Sequence, residues 1–198
     1  KMIIKDKNKL KTICENVSSN EEGEQIAAEL LKELSEAKSG IGLAANQIGI
    51  QKRVCVVNVT EPLYFINPRI IDLKDDILYN EGCLSFPNKV VTTKRSKFVT
   101  IESDNMGRVQ FGPTEDEQSE KGQLQLLESV CVQHEIDHLD GLTMYDRKFK
   151  QEPLRVNKIG RNEKVTISNG SETKVLKYKK AQPLLSDGWD IVTDNVSV

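Results

Sequence analysis

The chain has 198 residues, enough for one domain, or one domain with an appendage, and for a sizeable core. Apolar residues make up 37% and charged residues 29%, which describes a globular chain with a well-charged surface, and a formal charge of −2 gives no electrostatic case for nucleic-acid or membrane binding. Apolar runs of only a few residues exclude a transmembrane helix, and Lys1-Met2-Ile3-Ile4-Lys5 reads as lacking the apolar region of a signal peptide. The expectation is therefore a cytoplasmic protein that engages no membrane. Lys1 is read as a remnant ahead of a natural start at Met2. Cys14, Cys55, Cys83 and Cys131 are expected to be free thiols.

Ser19-Asn20-Glu21-Glu22 reads as a capping box that opens a helix running to about Lys38. Ile26, Ala27, Leu30, Leu31, Leu34 and Ala37 form its apolar stripe, and Ser39-Gly40 ends it. Gly40-Ile41-Gly42-Leu43-Ala44-Ala45-Asn46-Gln47 follows. It lacks the lysine of a phosphate loop and the preceding strand of a dinucleotide fingerprint. Its small residues let a ligand or another backbone approach closely, and Gln47 is the side chain there that can hydrogen-bond in a cleft.

Arg53 to Val59 and Tyr64 to Ile66 read as strands, the second stopped by Asn67-Pro68. Ile70 to Leu73 and Ile77 to Tyr79 are read as flanking an acidic turn at Asp75-Asp76. Lys97 to Glu102 and Arg108 to Phe111 read as a hairpin around Asp104-Asn105-Met106-Gly107. Residues 112–122 are read as an exposed acidic loop. A second helix is expected from Gln123 to about Leu139, with Leu124, Leu127, Cys131 and His134 on its buried face and Gly141 ending it. From Phe149 the chain turns basic, with nine Lys/Arg against six Asp/Glu in residues 149–198. Lys164 to Ser168 and Lys174 to Tyr178 read as strands around Asn169-Gly170-Ser171, with Trp189 to Val192 as a third. The organisation expected is a main domain over residues 1–148 and a small, basic, β-hairpin appendage over 149–198.

The chain has two histidines, and both fall in Gln133-His134-Glu135-Ile136-Asp137-His138. Four residues apart on a helix, they share a face and can share one tetrahedral metal ion, while Glu135 between them can reach a water on that ion as a general base. The bland alternative is a helix with two histidines beside an acidic face. A catalytic site needs a third protein ligand. No third histidine exists, and Glu152 and Glu163, the downstream carboxylates that a thermolysin-like site would need, lie in tail sequence. A cysteine or a distant carboxylate remains. Cys14 sits in polar sequence, and Cys55 reads as core. Cys131 lies on the same helix as the histidines and fits better as a pocket-lining residue. Cys83, beside Gly82 at a strand end, is well placed to present a thiolate. Glu81 is either a partner of a ligand histidine or of Arg95, or half of a surface salt bridge, and Asp137 and Asp140 are read as solvent-facing.

Three segments, Gly40 to Gln47, Glu81-Gly82-Cys83-Leu84-Ser85 and Gln133 to His138, resemble the three motifs of the peptide deformylases in order and spacing. The resemblance covers roughly residues 1–148. It implies an α+β fold, with antiparallel strands around a central metal-bearing helix, and hydrolysis of the N-formyl group of formyl-methionyl peptides. It implies Cys83, His134 and His138 as metal ligands, Glu135 as acid and base, and Gln47 with the Leu84 N–H as oxyanion donors. The ion implied is a single divalent metal, Fe2+ natively, with Zn2+ or Ni2+ in purified protein. The peptide is expected to lie extended beside Gly42 and the Gly82–Leu84 segment, with its methionine side chain near Ile41, Val130 and Cys131. The chain departs from the family in lacking a proline-containing opening and in a tail that reads as β rather than helix. A monomer is expected, and rRNA contact by the basic tail is the weaker reading beside a structural flap. The rival readings are a structural metal site without catalysis and a small metallopeptidase.

Overall fold

The computed structural model describes residues 2–37, 39–150 and 159–192. It divides into two units, Lys1–Lys150 and Gln151–Val198. Among the described residues no helix is long and apolar enough to cross a membrane.

The first α-helix of the first unit is α1, Asn20–Glu36. Ser19 Oγ accepts the Glu22 N–H at 3.2 Å, a cap that contributes about 1 kcal/mol. The reciprocal half of the capping box is displaced by one residue, because the Glu22 carboxylate accepts from the N–H and hydroxyl of Ser18. Ala27, Leu30 and Leu34 of α1 pack with Val54, Val56 and Ile66 in one apolar cluster.

Strands β1 (Gly42–Ala44), β2 (Val54–Asn58) and β3 (Pro62–Ile66) form an antiparallel sheet in that order. A second antiparallel sheet contains β4 (Arg69–Cys83), β5 (Phe86–Ser103) and β6 (Gly107–Phe111). The acidic turn expected at Asp75-Asp76 is absent. Lys74 pairs with Phe98 and Asp76 with Ser96, so β4 runs straight through, although Asp75 has φ of 60°. The charges of this stretch lie on a solvated strand, and the long β5 supplies the pairing that local composition hides. The Asp104–Met106 turn joins the two sheets: Asn105 Oδ1 accepts the Ile66 N–H at 2.9 Å and its amide donates to Tyr64 O at 2.8 Å.

Helix α2, Glu120–Leu139, begins at the Ser119 cap, a turn earlier than its composition suggests. Leu124 is exposed rather than on a buried face. From Ser129 to Leu139 every residue is buried, whatever its direction on the helix. Val132, Ile136 and Leu139 pack with Val99, Ile101, Phe65 and Phe111 in a second apolar cluster. Gly141, with φ of 73°, lets the chain turn back, as the sequence indicates. It then returns to β5, where Lys94 N–H donates to Arg147 O at 2.9 Å and Phe149 N–H to Thr92 O at 2.8 Å.

The second unit holds β7 (Lys164–Ser168), β8 (Thr173–Lys177), helix α3 (Tyr178–Ser186) and β9 (Asp190–Ile191), with sheet order β8-β7-β9. The hairpin and the third strand follow the sequence pattern, and Gly170 at φ of 86° makes the turn. The helix does not follow it, since Pro183 inside it argues against one. The appendage is therefore mixed rather than purely β. Val165, Ile167 and Ala181 form its small core. Residues 151–158, which include Glu152, and Lys38, the expected end of α1, lie outside the described residues.

Candidate metal centre

Full burial of the second half of α2 forces its polar residues to find partners inside the protein. Gln133 does so by imitating a strand: its carbonyl accepts the Ser96 N–H at 3.1 Å, and its amide donates to Ser96 O at 2.7 Å. This ties the helix to β5 one residue before His134. Asn46, on the short 3-10 turn Ala45–Ile48, donates to His138 O at 2.6 Å and holds the other end.

On this frame the ligating atoms of Cys83, His134 and His138 lie within 4.8 Å of one another. Among the described residues this is the one such group of three His, Cys, Asp or Glu side chains. Cys83 ends β4 at the turn into β5, and its sulfur lies 3.3 Å from His138 Nε2. His134 Nδ1 is bound to Glu81 Oε2 at 2.7 Å, so Nε2 is the atom it has left to offer. The two rings stand edge to face, 4.8 Å between centroids. The donor set, one thiolate and two imidazoles converging from a strand end and a helix, fits one divalent ion of tetrahedral preference.

Electrostatics sorts these groups. Burial pushes the Glu135 carboxyl up to about 7, against the pull of His134. Burial and the neighbouring His134 hold His138 well below the ordinary imidazole range, which favours the neutral, ligating form. Burial also opposes charge on His134, but Cys83 and Glu81 outweigh it and raise this ring well above that range. Burial would likewise raise Glu81, yet its bonds to His134 and Arg95 bring it down to about 2. Glu135 Oε2 and His138 Nδ1 are two of three buried side-chain polar atoms without a partner among the described residues.

A cavity of about 410 Å³ opens onto this group. Gln47, Cys83, Leu84, His134 and Glu135 line it, as do Ile41, Gly42, Gly82, Val130 and Cys131. His138 lies behind the wall, with no exposed surface. Gln47 is oriented by its own backbone turn: its carbonyl accepts the Ala44 N–H at 2.8 Å, which turns its amide toward Ser85 Oγ at 3.1 Å and Cys83 Sγ at 3.6 Å. Gly42 has no room for a side chain, because a Cβ there would lie 2.7 Å from Cys131 Sγ and 2.9 Å from Glu135 Cδ. Cys131 faces Ile41 O at 3.6 Å and lines the cavity beside the histidines rather than joining their cluster.

One open reading is decided and one expectation changes. Glu81 is buried and binds His134, Arg95 and Thr93, so the surface salt-bridge reading falls. Asp137 is not solvent-facing: it is buried between Arg95 and Arg147. Asp140 is exposed and pairs with Arg53. Helical spacing gives no sign of the burial of Asp137, since the helix is buried on every side there. Nothing in the sequence ties Arg95 or Arg147 to it. Ser85, the last residue of the Glu81–Ser85 motif, accepts from Gln47, and Thr93, Tyr79 and Phe86 also reach the site or its cavity without a motif to announce them.

Residues 1–153 match the family model described as polypeptide deformylase. The peptide deformylase of Neisseria meningitidis is 34% identical over 167 residues, covering 80% of this chain and 93% of that protein. That of Prochlorococcus marinus is 38% identical over 154 residues, covering 73% and 71% respectively. Among solved structures, the Met-Ala-Ser-bound class I type b peptide deformylase from Acinetobacter baumannii is similar with a TM-score of 0.61 at 27% identity, over 74% of this chain and 97% of that one. The chain belongs to the polypeptide deformylase family and is a hydrolase that removes the N-formyl group from nascent peptides.

Proposed function

We propose that Cys83, His134 and His138 hold one divalent metal ion and that the reaction takes place where the cavity meets this group. The observation that carries the reading is the convergence of three ligating atoms within 4.8 Å beside a buried carboxylate, Glu135. A bound divalent ion supplies Lewis acidity and brings the pKa of water toward neutrality. Glu135 takes the proton of the attacking water and later returns it to the leaving amine, so formate and a free N-terminus result. The Gln47 amide and the Leu84 N–H donate to the oxygen that gains charge as the formyl carbon becomes tetrahedral. Donors already fixed in place need no reorganisation as that charge develops. Ferrous iron is the native ion in this reading, with zinc or nickel in the protein as purified. Elemental analysis of anaerobically prepared protein tests that assignment.

The substrate lies extended beside Gly42 and the Gly82–Leu84 segment, with its methionine side chain against Ile41, Val130 and Cys131. A formyl carbon is unhindered, and a narrow site rejects the acetyl group by size. The Met-Ala-Ser peptide bound in the Acinetobacter relative supports a peptide substrate of this kind. Residues 1–148 act as the catalytic domain, in the cytoplasm and as a monomer, and residues 149–198 are a structural appendage. Contact of its basic residues with the ribosome is the weaker reading. The test is formate release from formyl-Met-Ala-Ser by nickel- or cobalt-reconstituted protein, with acetyl-Met-Ala-Ser alongside. Turnover of the formyl peptide alone is expected. Equal turnover of both, or none in folded, metal-loaded protein, overturns the reading.

A further inference from the structure

The geometry points to Arg147 as a positioning residue that holds the His134 ring in place through Asp137, Arg95 and Glu81. The inference rests on the reading of His134 as a metal ligand. Arg147 grips Asp137 with two bonds, Nη2 to Oδ1 at 2.7 Å and Nε to Oδ2 at 3.0 Å. The same Oδ2 accepts from Arg95 Nη1 at 2.5 Å. Arg95 then reaches Glu81 through Nε and through Nη2 at 3.0 Å. Glu81 Oε2 closes the chain on His134 Nδ1 at 2.7 Å. Every link is a charge-assisted bond, and each guanidinium meets a carboxylate in the planar fork that fixes direction as well as distance.

With His134 neutral, as a metal ligand must be, the charges balance only with Arg147 present. Glu81, Arg95 and Asp137 are buried, with 5%, 4% and 2% exposure. Two carboxylates against the single charge of Arg95 would leave one negative charge uncompensated away from water. Arg95 would then be drawn toward Asp137, and Glu81 would lose its hold on the His134 ring. Arg147 is the one member with substantial solvent access, its side chain being 44% exposed. Its backbone is held independently by pairing with Lys94, the neighbour of Arg95 on β5. A substitution there removes the charge without releasing the strand.

The test compares Arg147→Met, Arg147→Lys, Asp137→Asn and the double variant Asp137→Asn with Arg147→Met. Asp140→Asn serves as a control for an ordinary ion pair at the same helix end, and His134→Ala tests the ligand reading. On folded protein, checked by circular dichroism and thermal melting, Co2+ affinity is measured by chelator competition and by the cobalt visible spectrum. Turnover of formyl-Met-Ala-Ser is measured on the cobalt form. Loss of a hydrogen-bonded partner behind a ligand lowers metal affinity by about 10–100-fold, and Arg147→Met is expected near the lower end. The cobalt spectrum should shift and kcat should fall with KM unchanged. Arg147→Lys should recover most of the affinity, and the double variant, balanced again, should bind cobalt better than Arg147→Met. Asp140→Asn should bind as the parent does. Parent-like cobalt affinity and spectrum in Arg147→Met, with at most a lower melting temperature, overturn the proposal while His134→Ala still abolishes binding. Undiminished binding in His134→Ala overturns instead the ligand reading on which it rests.

Discussion

The second half of α2 and the β7–β8 hairpin bury their residues under opposite rules. Between Ser129 and Leu139 the helix is enclosed on all sides, and Gln133, His134, Glu135, Asp137 and His138 are buried along with Val132 and Ile136. In the hairpin, Val165 and Ile167 point inward and Lys164 and Lys177 outward. The hairpin follows the ordinary two-residue alternation of a half-solvated sheet. The helix breaks amphipathic patterning, and each polar group in it carries a desolvation cost that only specific partners offset. Such a cost persists where the polar atoms are used. The contrast agrees with the proposed placing of the chemistry on α2, the region that is worst as an apolar core, and with a hairpin held by packing.

The contrast is broken most severely at Glu135. Replacing it with Gln keeps size and removes the proton acceptor, so deformylation should fall by roughly 10²–10⁴-fold, the range for a positioned acid–base group. Metal content by elemental analysis should stay at the parent value; parent-like turnover would remove Glu135 from the mechanism. Gly42→Ala tests whether packing around the same carboxylate matters. Its Cβ meets Cys131 Sγ and Glu135, and a misplacement near 1 Å can lower the rate by about 10²-fold. Fast turnover in Gly42→Ala would mean that the wall gives way. Ile41→Trp should narrow the cavity and raise KM for formyl-methionyl peptides with metal retained; an unchanged KM would move the methionine pocket elsewhere.

The hairpin side of the comparison predicts effects on stability without effects on chemistry. Ile167 is fully buried, and Ile167→Ala should destabilise the second unit by about 2–5 kcal/mol. Trp189, the single tryptophan of the chain, packs against that small core and reports its unfolding by fluorescence. Its denaturation midpoint should fall while kcat for formyl-Met-Ala-Ser holds; a parallel loss of activity would mean that the units are energetically coupled. Val175, 65% exposed on β8, should tolerate Ser within about 0.5 kcal/mol.

By itself the sequence determined the features that depend on neighbours along the chain. The Ser19 cap, the Gly141 stop, the Asn169-Gly170-Ser171 turn and the hairpin around it are local, and each stands where residue type requires. The spacing of His134, Glu135 and His138 is likewise local, because one helical turn joins them. Only the tertiary structure decided the rest. Cys83 comes from 51 residues before His134 and meets it because β4 ends beside α2. The straight course of Asp75-Asp76 depends on pairing with a distant strand, which no acidic run reveals. Asp137 looks like a surface carboxylate, and Glu81 reads equally well as a surface or a buried one, until two sheets close around the helix. Arg95 and Arg147 can neutralise them only after the chain has returned to β5, since the partner of a buried charge is chosen by position in space and not by separation in sequence.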